Sequence, residues 1–411
     1  MRLRKLVLAF CGVVFLGGCA TDLVGEKADL TRVESPVGMT IHPNGRIAYV
    51  VGSNFDLDYR ATDGGALYVV DLETDTVLPS SKRMGSFGTN VVLSEDARRG
   101  YTLTRDDGSL VWFEVSEDGR DIHCPLSGSG TDHLLNCRIN LEYNPTHVAL
   151  TRSFREVETV LPDGTRRTKR VDFDLLMIAQ LRESAVTAVT VRQTEDGLYH
   201  FSHAMASLVY SASEVLWHSG ETFFVTGRAA NNLAAVYPAI TEEGEVKGLY
   251  VRQRLNVPQA FSAYEGRGMA LDPARRKLFM LNLFPNSILQ FDVGGLLGGE
   301  ASAEPVQARG MTTLPGRMLK VAWVGEAHGL LYLTGFSDDA LYLVTPDNLE
   351  IVGKIATGRG PYELYVDAAR HRLFVLNFLG GDIWEYDTTD PLDPVMVKTY
   401  LTVDSSEATE N

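Results

Sequence analysis

The apolar residues of this chain fall into short runs of two neighbouring kinds, separated by turns rich in Gly, Asp and Asn. The first kind is GRIAYVV (45–51), RGYTLTR (99–105), ETFFVTG (221–227), KLFMLN (277–282), GLLYLTG (329–335) and RLFVLN (372–377). The second follows about ten residues later as ALYVVDL (66–72), SLVWFEV (109–115), DLLMIAQ (174–180), NLAAVYP (232–238), SILQFDV (287–293), ALYLVTP (340–346) and DIWEYDT (382–388). Alternation such as Leu67-Tyr68-Val69-Val70-Asp71 has the period of a strand, and Tyr, Val and Phe suit a pleated, packed surface. No stretch sustains a helical period between caps.

Runs of the second kind begin at 66, 109, 174, 232, 287, 340 and 382, at intervals of 43, 65, 58, 55, 53 and 42. That repeat predicts an all-β fold: a seven-bladed β-propeller of four-stranded antiparallel blades spanning residues 36–402. In the third unit DLLMIAQ reads as a run of the second kind. Its preceding strand then falls in the basic stretch REVETVLPDGTRRTKR (155–170), which otherwise reads as a solvated hairpin tip. Either Val395–Val403 or residues 24–34 supply the strand that closes the ring. The tail 403–411 is polar, acidic and expected to be disordered.

Composition narrows the classes. The 411 residues are 45% apolar and 22% charged, enough to bury a core. Lys+Arg 38 against Asp+Glu 53 gives −15, a poor balance for neutralising phosphates, so no nucleic-acid partner is expected. Four cysteines without CxxC or CxxCH exclude zinc ribbons and c-type haem attachment, and no cofactor motif is present.

The N-terminus carries its own signal. Arg2, Arg4 and Lys5 precede an apolar run from Leu6 to Gly18 that is too short to span a bilayer. The run ends in Leu16-Gly17-Gly18-Cys19, which resembles a bacterial lipobox. The resemblance implies a signal peptide over 1–18, lipidation of Cys19, a tether over 19–35, and attachment to the envelope membrane by acyl chains. Ala20 after the cysteine implies the outer membrane. Removing 1–18 takes away three positive charges and leaves −18. Cys11 leaves with the signal, so Cys124 and Cys137 remain as an expected disulfide in an oxidising compartment. A metal site built with His123 and His133 is the alternative.

Gly360-Pro361-Tyr362-Glu363-Leu364-Tyr365-Val366-Asp367, followed by RLFVLN and DIWEYDT, resembles a repeat of the YVTN-type propellers, which are similar to the lactonase-like ones. Ser35 to Gly45 followed by IAYVV is similar. The resemblance covers blades one, five and seven best and implies a fold rather than an activity.

In a propeller the first strand of each blade lines the central channel. Aligning the seven entries on blade seven places Val37, Thr89, Thr146, His203, Arg267, Arg317 and Tyr362 at one position, and Gly38, Asn90, His147, Ala204, Gly268, Met318 and Glu363 at the next. His147, His203, Arg267, Arg317, Arg359 and Glu363 are thereby expected around one mouth, a cationic cluster suited to a carboxylate or other anion. Mutual pairing of these side chains between blades is the plainer alternative. No third ligand accompanies the two histidines, so no metal site is assigned. Asp56, Asp58 and Asp63 in the blade-one insertion offer oxygens for calcium but lack the EF-hand spacing. G-x-S-x-G and the P-loop are both absent. The expected function is a non-catalytic, lipid-anchored envelope scaffold with a protein partner. The alternatives are a lactonase-like hydrolase, using Glu363 or His203 as base and Arg267 as oxyanion support, and a periplasmic module for a small ligand or metal.

Overall fold

The structure is a computed structural model and describes residues 28–53, 65–128, 130–141, 144–160, 163, 165–229, 233–256, 264–298, 304–326 and 328–401. The expected signal segment, Cys19, the acidic insertion with Asp56, Asp58 and Asp63, and the tail lie outside the described residues.

The strands form four-stranded antiparallel meanders, and the protein is a β-propeller. Seven meanders follow one another along the described chain. Their first strands are Pro36–Ile41, Gly88–Leu93, Pro145–Val160, Ala212–Ser219, Tyr264–Leu271, Met318–Val324 and Pro361–Asp367. Each first strand neighbours the next, and the last neighbours the first, so these strands circle one axis. Blades four and five also touch at their outer edges, where Leu255 pairs in parallel with Val306 and Asn256 with Gln307.

Burial explains which runs stand out in the sequence. The second and third strands of a blade are covered on both faces by the neighbouring blades. Ile47–Gly52, Ala66–Asp71, Thr222–Gly227 and Leu330–Gly335 are buried at every position. Outer strands meet water and alternate, as in Ile351–Ala356. The cores lie between blades; Tyr332, Leu341 and Leu343 of blade six, for example, pack on Leu373, Val375 and Tyr386 of blade seven.

Buried carboxylates also join blades. The fully buried Asp71 of blade one takes Arg46 at 2.8 Å and, from blade two, Arg120 at 2.7 Å. The hydrogen bond from Arg46 is the main reason its carboxyl sits far below the usual range. Asp174 of blade three accepts from Arg99 (2.8 Å) and Tyr101 (2.6 Å) of blade two.

Val395–Tyr400 pairs with Asp382–Asp387 as the outer strand of blade seven, while residues 28–34 form no strand. Each terminal blade thus keeps its own four strands, and side chains close the ring. Arg372 donates to the Gly45 carbonyl (2.9 Å) and Lys398 to that of Leu72 (2.8 Å). Ala28 and Val33 pack in one cluster with Tyr68 of blade one and Phe374 and Tyr400 of blade seven.

The third blade corrects the sequence reading. DLLMIAQ belongs to Arg166–Gln180, the second strand rather than the third, and the third is Ala185–Gln193. The basic stretch is the outlying part of a long hairpin pairing Pro145–Val160 with Arg166–Gln180, with exposed Arg166, Arg167, Lys169 and Arg170.

Cys124 and Cys137 form a disulfide, Cα–Cα 5.6 Å. It draws together two short outer pieces of blade two, Ile122–His123 and Arg138–Asn140, both paired with Ser109–Val115. Replacing both cysteines by serine should lower the unfolding free energy by about 3 kcal/mol, the entropy of a loop of this size, as read by urea denaturation. Glycine at the channel wall makes a second prediction. A Cβ on Gly268 would lie 2.8 Å from the Cα of Lys320 and from the Val321 nitrogen, whereas one on Gly128 meets nothing within 4 Å. Gly268→Ala should therefore cost about 1–3 kcal/mol by forcing two strands apart, and Gly128→Ala close to nothing, in the same assay.

Candidate functional site

All seven first strands begin with an irregularity. Pairing with the second strand shifts between Pro36 and Gly38, Gly88 and Val91, Pro145 and His147, Ala212 and Glu214, Gly266 and Met269, Met318 and Val321, and Pro361 and Glu363. Such bulges re-aim side chains. Matching them places Gly38, Asn90, His147, Glu214, Gly268, Lys320 and Glu363 at one level of the channel.

At this level most strands lean on the next. The Asn90 amide donates to the Val148 carbonyl (2.7 Å) and accepts from the Val148 N–H (3.0 Å). His147 hydrogen-bonds the backbone of Val215. Glu214 accepts from the Met269 N–H (3.2 Å). Where the residue is Gly38 or Gly268, the next strand comes too close for a side chain, with 2.4 Å from a would-be Cβ on Gly38 to the Thr89 oxygen.

Lys320 sits between two carboxylates, 3.3 Å from Glu214 and 3.2 Å from Glu363. All three are deeply buried, at 14%, 11% and 13% side-chain exposure. Burial alone would lower the Lys320 pKa, but the two facing carboxylates overrule it and hold the amine above its ordinary value. Burial raises the Glu363 carboxyl despite Lys320. Burial, with Lys320 nearby, holds His147 well below its ordinary value, so its ring is neutral at pH 7.

Above this level a cavity of about 70 Å³ opens on the face where the first strands begin. Arg105, Arg228 and Arg267 line it together with His147, Lys320 and the two glutamates. Arg105 lies over the Phe87 ring at 3.9 Å and donates to Asn144. Arg267 lies 3.5 Å from Glu265, while its buried Nε, the Thr89 hydroxyl and His147 Nδ1 have no protein partner. The volume suits a handful of waters or one small ionic group rather than a whole drug-sized molecule. Four permanent cations against two carboxylates, with open donors, make this a place for an anionic oxygen.

Of the residues expected at the mouth, His147, Arg267 and Glu363 line this cavity. His203 does not: it is exposed on Tyr199–Ala206, the outer strand of blade three. The slip of one strand in blade three had moved blade four's entry onto its neighbour's edge. Arg317 and Arg359 lie on the same face but are exposed and outside the cavity wall. In blade six Lys320, not Met318, stands at the level of Glu363: it lies two residues past the first paired residue Met318, as Glu363 lies two past Pro361.

Glu214, Lys320, Arg105 and Arg228 are absent from the sequence expectation. One signal points to Glu214: first strands start eleven residues before second strands in blades one, two and seven, and that count back from Thr222 lands beside Ala212. Among the described residues no cluster of His, Cys, Asp and Glu could hold a metal ion.

Fold and channel together define a β-propeller with a polar, arginine-lined mouth. Similar solved structures include the β-propeller domain of Cps50 (Swd1) from Myceliophteria thermophila, with TM-score 0.57, 11% identity, and coverage of 88% of this chain and 100% of that one. Kuenenia stuttgartiensis hydrazine synthase matches with TM-score 0.56, 12% identity, and coverage of 89% and 97%. A protein from Lactobacillus plantarum matches with TM-score 0.56, 13% identity, and coverage of 87% and 96%. At these identities the likeness is one of fold alone. No family model and no curated protein matches the sequence.

Lys320→Met should leave Glu214 and Glu363 buried without their counter-charge, a loss of about 3–5 kcal/mol at pH 7. The folded-state pKa of Glu363 is raised, so the folded form holds its proton more tightly than the unfolded chain does. That contribution is present at acid pH and fades as pH rises through the folded value. The Lys320→Met deficit, read from denaturation midpoints, should therefore shrink as pH is lowered from 7 towards the ordinary glutamate range. A deficit independent of pH contradicts the charge account.

Proposed function

We propose that the protein is a non-catalytic β-propeller held by lipid on Cys19 at the bacterial outer membrane, serving as an interaction scaffold whose central mouth captures an acidic group of an envelope partner protein. The observation that supports this most is the mouth itself: three arginines converge there, with the buried Nε of Arg267 unpartnered, in a chain of net charge −15. Planar guanidinium donors in a recess recognise carboxylates by geometry as well as charge. Arg267→Glu should abolish capture of the partner when the acylated protein is drawn from detergent-solubilised membranes. Arg309→Glu, on the exposed outer edge of blade five, should leave it unchanged. Equal capture by both variants would mean that the mouth is not the binding face. Cys19→Ala should move the protein to the soluble fraction.

A lactonase-like hydrolase is the second reading. It is favoured by one observation, that Arg267 and a Glu363 carboxyl of raised pKa reach the same cavity. His203 has no part in it. Against it stands the Lys320 ammonium 3.2 Å from that carboxylate, which weakens it as a base. Turnover of sugar lactones that disappears with Glu363→Gln would favour this reading over the scaffold.

A further inference from the structure

The path of residues 28–35 puts the N-terminal end of the described chain on the mouth side of the body. First and third strands run away from the mouth face, second and fourth run towards it. The Ala28 carbonyl accepts from Arg83, whose strand pairs with Ala66–Leu67 at the mouth-side end of blade one. The Asp29 carbonyl accepts from the Tyr68 hydroxyl (3.0 Å). The Val33 carbonyl lies near Gly381, at the mouth-side start of blade seven's third strand, and the Ser35 carbonyl accepts from Ser53 where blade one's second strand ends. The segment thus crosses the mouth-side end of the cleft between blades one and seven, with Ala28 near its rim.

From Cys19 to Ala28 is nine residue steps, a reach of at most about 30 Å even when fully extended. A lipid on Cys19 therefore keeps that rim near the bilayer, while the opposite face, with the exposed Leu392 between the third and fourth strands of blade seven, is free to point away.

We propose that the mouth-bearing face is the membrane-facing one, and that the acidic group it receives projects from an integral protein of the same membrane. This rests on the envelope-anchored reading above and adds the orientation and the partner's class. A protruding carboxylate is favoured over anionic lipid by where the charges lie. The cations of the mouth are recessed, with Arg267 at 16% exposure and Lys320 at 14%. The rim has mixed sign, with exposed Asp106 and Asp339 against Arg317 and Arg359. A flat anionic surface meets that rim and gains little, whereas a side chain or chain terminus standing out of the membrane reaches the recess.

The test uses the full acylated protein in vesicles of phosphatidylethanolamine and phosphatidylglycerol containing headgroup-nitroxide lipid, with a fluorophore at Arg359→Cys or at Leu392→Cys. The orientation predicts quenching at position 359 and little at 392, with the difference lost when a long Gly/Ser segment is inserted after Ala20. Equal quenching on anchored protein, or quenching only at 392, overturns the inference and leaves the anchored reading standing. Protein that never joins the vesicles overturns both.

In intact cells a photo-crosslinking residue at Arg317 should give an adduct with an integral membrane protein that disappears with Arg267→Glu, while the same residue at Leu392 gives none. Adducts to lipid, or only to a soluble protein, overturn the assignment of the partner.

Discussion

Seven strands crowd one axis, and at one level of the channel most of them lean on the next. That contact takes several chemical forms. Asn90 and Glu214 hydrogen-bond the following strand's backbone, Gly38 and Gly268 let that backbone approach directly, and Lys320 meets Glu363 across the gap. Single neutral hydrogen bonds of this kind contribute about 1 kcal/mol each. Their larger consequence is geometric: they set how closely blades approach and hence how much space remains above them. The cavity is what this ring of contacts leaves open.

The charges at this level follow from that geometry. Lys320 has two carboxylates within 3.3 Å, and neither can lose its counter-charge without leaving a buried, uncompensated anion. Buried ion pairs add little over an apolar filling of equal volume. Their value here is better sought in what they present to the mouth. A neutral His147 and the partnered Glu214 and Glu363 leave the arginines as the dominant field above them. An acidic protein thereby keeps a positive recess on one face, and residues 28–35 run along the cleft at that same face.

Legibility in the sequence tracks burial. Second and third strands are covered on both sides, so they appear as apolar runs that repeat, and counting them recovers the propeller. First strands face the channel and outer strands face water, so their pattern blurs. In blade three the hairpin continues past the sheet into a charged stretch, which hid the true second strand and shifted the count by one. That slip alone puts His203 of the outer strand in the place that belongs to Glu214 of blade four's first strand. In blade six the sequence expectation starts the strand two residues early, which puts Met318 where Lys320 stands.

By itself the sequence determined the all-β class, the repeat of the blades, the pairing of Cys124 with Cys137, and three members of the mouth: His147, Arg267 and Glu363. These follow from local pattern, which strands carry in their own residues. Only the tertiary structure decided which side chains share the channel level, how the ring closes without an exchanged strand, and on which face residues 28–35 lie. The physical reason is that side chains alternate along a strand with period two, so a slip of a single residue turns an inward group outward. Contacts between blades, such as that of Arg372 with Gly45, are settled between residues far apart in the chain, and no local pattern encodes them.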